Sequence, residues 1–236
     1  MTQGEKMKRI NIQWIGSFIL IIIAITGFSC AHGNQEKKDT AINQADHEKI
    51  MEQFKKGVEE SKKIVVARVN GSDITMMQLI SAMNQIAPNY IKDPREKTPE
   101  LNKKVEKDAL DLLIFRELAI QEASRRGMKV DPKRVDQALK NFIHIMGSEE
   151  AYNYYMLQRG LDEKTMIKEL ERDELVNMIS REEIMPKVKE NEDKAQAIQE
   201  RKQEWEAELK KDAKIEITLD EVEKKLKEEA DKKKSQ

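Results

Sequence analysis

The residues that most often perform acid–base or metal chemistry are few and scattered in this sequence of 236 residues. Its three histidines, His32, His47 and His144, are too far apart in sequence to predict a metal site. Two carboxylate pairs, Glu149-Glu150 and Glu182-Glu183, fall at the start and on the solvated side of predicted helices, where acidic residues are ordinary. There is no phosphate-binding loop, no HExxH and no GxSxG motif. The sequence therefore predicts no catalytic residue, no metal and no cofactor.

The clearest chemical prediction concerns Cys30, the only cysteine of the chain. Lys6, Lys8 and Arg9 precede an apolar run over Ile15–Phe28, and small residues follow that run. This order of basic, apolar and small residues is typical of a bacterial secretory signal. A cysteine directly after the apolar run resembles the acylated cysteine of a lipoprotein, so we expect lipid attachment at Cys30. A single cysteine also excludes an intramolecular disulfide.

Two alternatives to lipid attachment remain open. Gly27 stands where lipoprotein signals usually have leucine, and Ser29 with Ala31 could direct cleavage after Ala31 instead. The apolar run could also stay uncleaved as an anchor, although its 14 residues reach only about 21 Å of a roughly 30 Å hydrocarbon core. All three interpretations place the body in the periplasm. Because Ala31, not aspartate, follows the cysteine, a membrane-anchored form at the outer membrane is slightly favoured over the inner.

Composition limits the class of protein. Lys and Arg number 43 and Asp and Glu 44, for a formal net charge of −1, so no basic excess predicts a nucleic-acid partner. Charged residues make up 37% of the chain and aromatic residues 5%, and there are only nine glycines and five prolines. These proportions favour a helical protein with a large solvated surface over a multispan membrane protein or a β-barrel.

Two short segments have the pattern of strands. The first is β-branched Ile64–Val69, followed by the turn dipeptide Asn70-Gly71, and the second is Ala213–Ile217. Because a lone strand leaves its main-chain groups unpaired, we predict that these two segments pair. The fold class is therefore mainly α, with a small β-sheet joining the N-terminal strand to the C-terminal strand.

Helix starts between and after these strands are marked by capping residues. A capping box is predicted at Thr75 and Gln78, and another at Thr218 and Glu221. The other predicted N-caps are Thr98, Asp131, Ser148 and Asp162. The helix that ends near Arg126 is apolar on most sides and is expected to lie at the centre of the bundle.

Several of these segments, in this order, resemble the SurA-type periplasmic chaperones. Ile64–Thr75 is similar to that family's opening strand, Asn-Gly-like turn and "x-I-T". Leu112–Asp131 is similar to its "L-I-x-x-x-L-x-x-x-x-A-x-x-x-G-i-x-v", and Leu157–Asp162 to its "L-x-x-x-G-l". Trp205–Ile217 resembles the tail of SurA, PpiD and PrsA-like proteins. The resemblance covers roughly residues 60–218.

The residue patterns and the resemblance together predict four segments: a signal over 1–30, a polar tether and charged surface helix over 31–63, a chaperone core over 64–218 that the resemblance implies, and a charged terminal helix over 219–236. In this family a parvulin-type prolyl isomerase domain usually lies between core and tail. Here about 20 residues separate Ile184 from Trp205, and His144, the only histidine of the folded body, is predicted to be solvated. We interpret the chain as the chaperone core without the enzyme.

The resemblance implies an ATP-independent chaperone that binds unfolded secreted or outer-membrane polypeptides. Methionine and tyrosine suit such binding because they adapt to many partners. The predicted contact residues are Met76, Met77, Met83, Met146, Tyr152, Tyr154, Tyr155 and Met156. Methionines at helical spacing are also common core residues, so both roles stay open. The alternatives are a divergent peptidyl-prolyl isomerase of the same family, or an assembly lipoprotein with one dedicated partner.

Overall fold

The computed structural model describes residues 44–93, 95, 98–187 and 194–234. In chain order the helices are α1 Gln44–Ser61, α2 Met76–Ile86, α3 Pro99–Arg125, α4 Pro132–Met146, α5 Glu149–Gln158, α6 Glu163–Ile184, α7 Lys194–Lys211 and α8 Leu219–Lys234. The strands are β1 Val65–Val69, β2 Ser72–Thr75 and β3 Ile215–Ile217, and 3₁₀ turns occur at Ala87–Asn89 and Met185–Lys187. The signal segment, Cys30 and the predicted tether lie outside the described residues.

Local capping signals begin most of these helices as predicted. The Thr75 hydroxyl accepts from the Gln78 amide at 3.3 Å, and the Gln78 side chain accepts from the Thr75 amide at 2.9 Å. The side chains of Thr98, Asp131, Ser148 and Asp162 cap α3, α4, α5 and α6. These caps work because the first turn of a helix has main-chain amides without a partner inside the helix.

The three strands form an antiparallel sheet of order β2-β1-β3, which confirms the predicted pairing of the first and last strands. Ala67 lies opposite Ile217, and Val69 lies opposite Ile215. The β1–β2 turn has Asn70 at φ 50° and Gly71 at φ 88°, as an Asn-Gly turn requires. The Thr218 hydroxyl, expected to cap α8, donates to the Val65 carbonyl oxygen at 3.0 Å and so fastens the start of α8 to the sheet.

Helix α3 is central, as predicted, and takes part in two hydrophobic clusters. In the first cluster its residues Ala109 to Leu118 pack against the sheet, α2 and Leu219 of α8. In the second, its C-terminal half packs against α6 and α7, where the ring of Phe115 meets that of Trp205 edge-on at 5.3 Å. The fold is therefore mainly α, with one long helix joining both clusters.

Helix α1 carries many charged residues and is attached to the body by one apolar side. Phe54 and Val58 are buried and pack with Met77 of α2 and Leu157 of α5. The contact is close at Gly160, which follows α5 and has φ 59°. Two large apolar residues one turn apart are enough to attach the helix, while its many charged residues stay in solvent.

Candidate functional site

Three of the predicted contact residues are core residues. Met76 and Met77 are each 6% exposed and Met156 is 7% exposed, so in this structure these three side chains have the core role that the sequence left open beside partner contact. Met77 is buried by a contact between helices. It lies outside the row of apolar α2 residues that faces α3, but α1 packs against that side of α2. Met83 is half-buried against the first hydrophobic cluster.

The other four predicted residues lie together on the hairpin formed by α4 and α5. Tyr152 and Tyr155 both pack edge-on against Phe142 of α4, with ring centroids 6.2 and 4.8 Å apart. Met146 ends α4, and Tyr154 lies on α5 with 44% of its side chain exposed. The sequence could not show that these residues belong to one helical hairpin, because that depends on how the two helices pack.

Two exposed isoleucines extend this surface. Ile143 is 39% exposed and Ile145 is 75% exposed, both in the last turn of α4. With Tyr154 they are three of the five exposed large hydrophobic side chains in the described part of the chain. We use the name hairpin surface for the apolar side chains of Phe142, Ile143, Ile145, Met146, Tyr152 and Tyr154, which lie on more than one side of the hairpin because residues two apart on a helix point in nearly opposite directions. A concentration of exposed apolar side chains is typical of a binding site.

The sequence interpretation missed both isoleucines as contact residues. Ile143 has the helical spacing of the apolar residues Val135, Leu139 and Phe142, which predicts burial, and Ile145 lies outside that spacing. The available signal was that positions 142, 143, 145 and 146 are all apolar. Four such residues in one turn exceed what a single helix face can bury, so some of them must face solvent.

The hairpin is attached to the body at its base. On α4 only Val135 is buried, and Arg134 forms an ion pair with Glu174 of α6 at 2.7 Å. On α5, Leu157 packs against α1. Gly147, with φ 78°, ends α4 and the Ser148 cap begins α5. The loop end of the hairpin therefore has few buried contacts, which is typical of segments with low local stability.

Charges around the hairpin surface are mixed. The guanidinium of Arg159 lies 4.5 Å from the centre of the Tyr155 ring, and burial raises the pKa of the Tyr155 hydroxyl. Glu150 lies in the first turn of α5, where main-chain and Ser148 hydrogen bonds lower its pKa. His144 is exposed, as predicted. Because charges of both signs lie near its apolar side chains, the hairpin does not select strongly charged partners.

Several partly buried carboxylates of the body are paired with arginines. Arg116 of α3 contacts Glu169 and Asp173 of α6 at 2.8 Å each, and Arg172 of α6 contacts Glu117 of α3. Burial raises the pKa of Glu117, but hydrogen bonds from Gln121 and Arg172 outweigh it, so the pKa is lowered overall. These groups join α3 to α6, which is a structural role.

Neither a metal site nor a membrane span is found in the part of the chain that the structure describes. Within that part, no three His, Cys, Asp or Glu side chains are grouped as metal ligands would be. Among the same residues, no helix is both long and apolar enough to cross a bilayer.

The described residues form a mainly helical domain closed by a small sheet. Residues 5–180 match the family described as the SurA-like N-terminal domain, and the chain belongs to that family. The family indicates a chaperone-like role, and no parvulin domain was found. No curated protein matches the chain. Because the match ends within α6, the segments α7, β3 and α8 lie beyond it.

Proposed function

We propose that the protein is an ATP-independent chaperone that binds unfolded secreted or outer-membrane polypeptides in the periplasm. One observation carries this proposal: a member of the SurA-like N-terminal domain family exposes Ile143, Ile145 and Tyr154 on one hairpin. Unfolded chains expose apolar and aromatic segments, which such a surface can cover. Burial of apolar area is non-directional, so one surface can take many sequences.

The residue types of the hairpin surface suit weak and varied binding. Met146 has an unbranched, polarizable side chain that repacks around different shapes. Tyr152 and Tyr154 give large contact areas for little loss of conformational entropy, and their hydroxyls tolerate water. A contact made by a few partly exposed side chains is weak enough to release its partner without ATP.

We propose that the protein does this without catalysis. Only residues 185–193 lie between Ile184, the last residue of α6, and Lys194, the first of α7. A parvulin-type domain of roughly a hundred residues, as the resemblance implies for relatives, does not fit into that segment. The alternative of a divergent prolyl isomerase therefore needs an active site elsewhere.

The second alternative is an assembly lipoprotein with one dedicated partner. A dedicated partner is expected to bind a shaped surface with matched polar groups. The hairpin exposes large apolar side chains and is held only at its base, which favours a general chaperone. Isolation of one stoichiometric partner from cells would instead favour the dedicated role.

We predict that the purified full chain suppresses aggregation of a denatured outer-membrane protein at a near-stoichiometric ratio without ATP. Ile145→Ser combined with Tyr154→Ser should weaken client binding about fivefold or more, because both side chains lose apolar contact area. Asn153→Ser, at an exposed position between Tyr152 and Tyr154, should behave as wild type. Light scattering after dilution from denaturant measures the effect.

Two results would contradict the proposal. One is wild-type protein that leaves aggregation unchanged, and the other is a double variant that protects as well as Asn153→Ser. A prolyl isomerisation assay on the same samples tests the alternative that the protein is a divergent prolyl isomerase. Activity that rises with protein concentration and survives further purification would support an isomerase.

We also propose that Cys30 carries the membrane anchor. Acyl chains contribute about 0.8 kcal/mol per buried CH₂, and more than one chain is needed for stable attachment. Cys30→Ser should therefore release or mislocalise the protein while its helical content, measured by circular dichroism, is unchanged. No disulfide is lost, because the chain has no other cysteine.

The intact mass of the membrane fraction distinguishes the three signal interpretations. A lipid-modified chain beginning at Cys30 is the expected result. A mature chain that begins at His32 without lipid would show cleavage after Ala31. A full-length mass would show that Ile15–Phe28 remains as an anchor.

A further inference from the structure

The two edges of the sheet differ in what they offer to another strand. On β2, the main-chain N–H and C=O groups of Ser72 and Ile74 point toward β1. Those of Asp73 and Thr75 therefore point outward, because main-chain hydrogen bonds alternate along a strand. The Thr75 amide is already used by the Gln78 side chain at 2.9 Å. Asp73 is charged and forms an ion pair with a β1 residue. Charges and occupied donors are the usual protection of a sheet edge, so the β2 edge is blocked.

The β3 edge also carries an ion pair, between Lys214 and Glu216 at 2.9 Å, but its outward main-chain groups have no partner among the described residues. The Lys214 carbonyl accepts from the Asn70 amide at 2.8 Å, and the Thr218 amide donates to β1 at 2.9 Å. Because main-chain hydrogen bonds alternate along a strand, Ile215 and Ile217 direct their N–H and C=O groups away from β1. Within the described residues these four groups have no hydrogen-bonding partner.

The side chains of β3 also differ between its two faces. Ile215 and Ile217 lie opposite Val69 and Ala67, which are both fully buried, so they are on the core-facing side of the sheet. Nevertheless, Ile217 is 57% exposed. Glu216 points to the other, charged side. The edge therefore presents an apolar side chain beside unpaired main-chain groups.

We propose that the β3 edge binds an extended segment of an unfolded polypeptide by adding it as a fourth strand. Unpaired donors and acceptors at alternate residues match the main chain of an extended peptide, whatever its sequence. Ile217 would be covered by an apolar side chain of that peptide. The inference rests on the proposed function for its class of ligand, and it adds a second contact with a different physical basis.

The short length of β3 sets the strength of this contact. Only Ile215 and Ile217 offer outward groups before Thr218 turns into α8. A strand added here gains few hydrogen bonds, each with a small net free energy in water. Binding is therefore weak and reversible, as release without ATP requires.

The test uses Ile217→Pro in the full chain. Among the main-chain hydrogen-bonding groups of β3, this proline removes only the N–H of residue 217, which points outward and is not bonded to β1. Proline is tolerated on edge strands. A fluorescein-labelled peptide alternating Val and Thr, with Lys at both ends, reports binding by fluorescence polarization. Ile217→Pro should weaken binding about tenfold or more, while Ile217→Val should stay within about twofold of wild type. The same peptide with a central proline should bind weakly to wild type.

Hydrogen–deuterium exchange of the wild-type chain gives a readout that does not depend on the variant's folding. Peptide binding should slow exchange over residues 213–218. Unchanged exchange in the bound state, or wild-type affinity in a folded Ile217→Pro variant, would overturn the proposal. Concentration-dependent protection without peptide, together with a doubled mass, would also overturn it by making a second copy the occupant.

The outcome can be separated from that of the hairpin surface. Slowed exchange over residues 213–218 reports the β3 contact alone, whereas suppression of aggregation reports binding by the whole chain. If wild type fails to suppress aggregation but the peptide still protects residues 213–218, the proposed function fails and the β3 contact stands. If aggregation is suppressed but the peptide does not slow exchange at β3, the β3 contact fails and the proposed function stands.

Discussion

Replacing Trp205 by alanine is expected to lower the free energy of unfolding by about 3–5 kcal/mol, the usual cost of removing a large buried aromatic side chain. Trp205 is 2% exposed and is the largest fully buried side chain of the described residues. Its ring packs edge-on against Phe115 and belongs to the cluster that joins α3, α6 and α7. Because the rest of the cluster cannot collapse onto a void of that size, much of the lost contact stays lost.

Urea unfolding followed by circular dichroism measures this effect without relying on tryptophan fluorescence. Trp205→Phe keeps an aromatic ring against Phe115 and should cost clearly less than the alanine variant. Gln203→Ala, at an exposed position of the same helix, should change stability by no more than about 0.5 kcal/mol. A loss below about 1 kcal/mol for Trp205→Ala would mean that α7 is not packed as described.

Gly160→Ala is expected to cost about 2–5 kcal/mol, from two separate causes. The residue has φ 59°, a left-handed conformation that costs a side chain about 1–2 kcal/mol. A β-carbon there would also lie 2.2 Å from Cγ1 of Val58 and 2.6 Å from Cε of Lys62. Overpacking of this kind costs typically about 1–3 kcal/mol. The lysine can move aside, but Val58 is buried and cannot.

Gly147→Ala separates the two causes. Gly147 has φ 78°, and nothing lies within 4 Å of an added β-carbon, so only the conformational cost applies. Gly160→Ala should lower the free energy of unfolding by more than Gly147→Ala does, and the difference measures the contact between α1 and the end of α5. Val58→Ala in the Gly160→Ala background should recover part of that excess. Equal losses for the two glycine variants would show that α1 does not pack there.

The features that the sequence predicted correctly are those decided by a few neighbouring residues. The caps at Thr75, Thr98 and Asp131 depend on one side chain and the amides that follow it. The β1–β3 pairing is long-range, but it was predictable because Ile64–Val69 and Ala213–Ile217 were the only two strong strand patterns and each needed a partner.

The features that the sequence missed depend on which side of a helix a distant segment covers. Met77 and Met156 lie outside the regular apolar spacing of their helices, yet both are buried. Ile143 fits the stripe of α4, yet it is exposed. Helical periodicity shows which residues share a face, but it does not show whether another element reaches that face. The burial of Phe54 and Val58 was missed for the same reason.

The pairing of β1 with β3 has a consequence for the order of folding. About 150 residues of chain separate the two strands, so β1 is synthesised long before the strand that covers its second edge. Until β3 follows, β1 can pair only with β2, and a lone hairpin is marginally stable in water. Contacts of such high sequence separation form slowly. The sheet is therefore completed only when β3 has been synthesised. A chain that is truncated or stalled before β3 leaves an open strand edge, which favours aggregation.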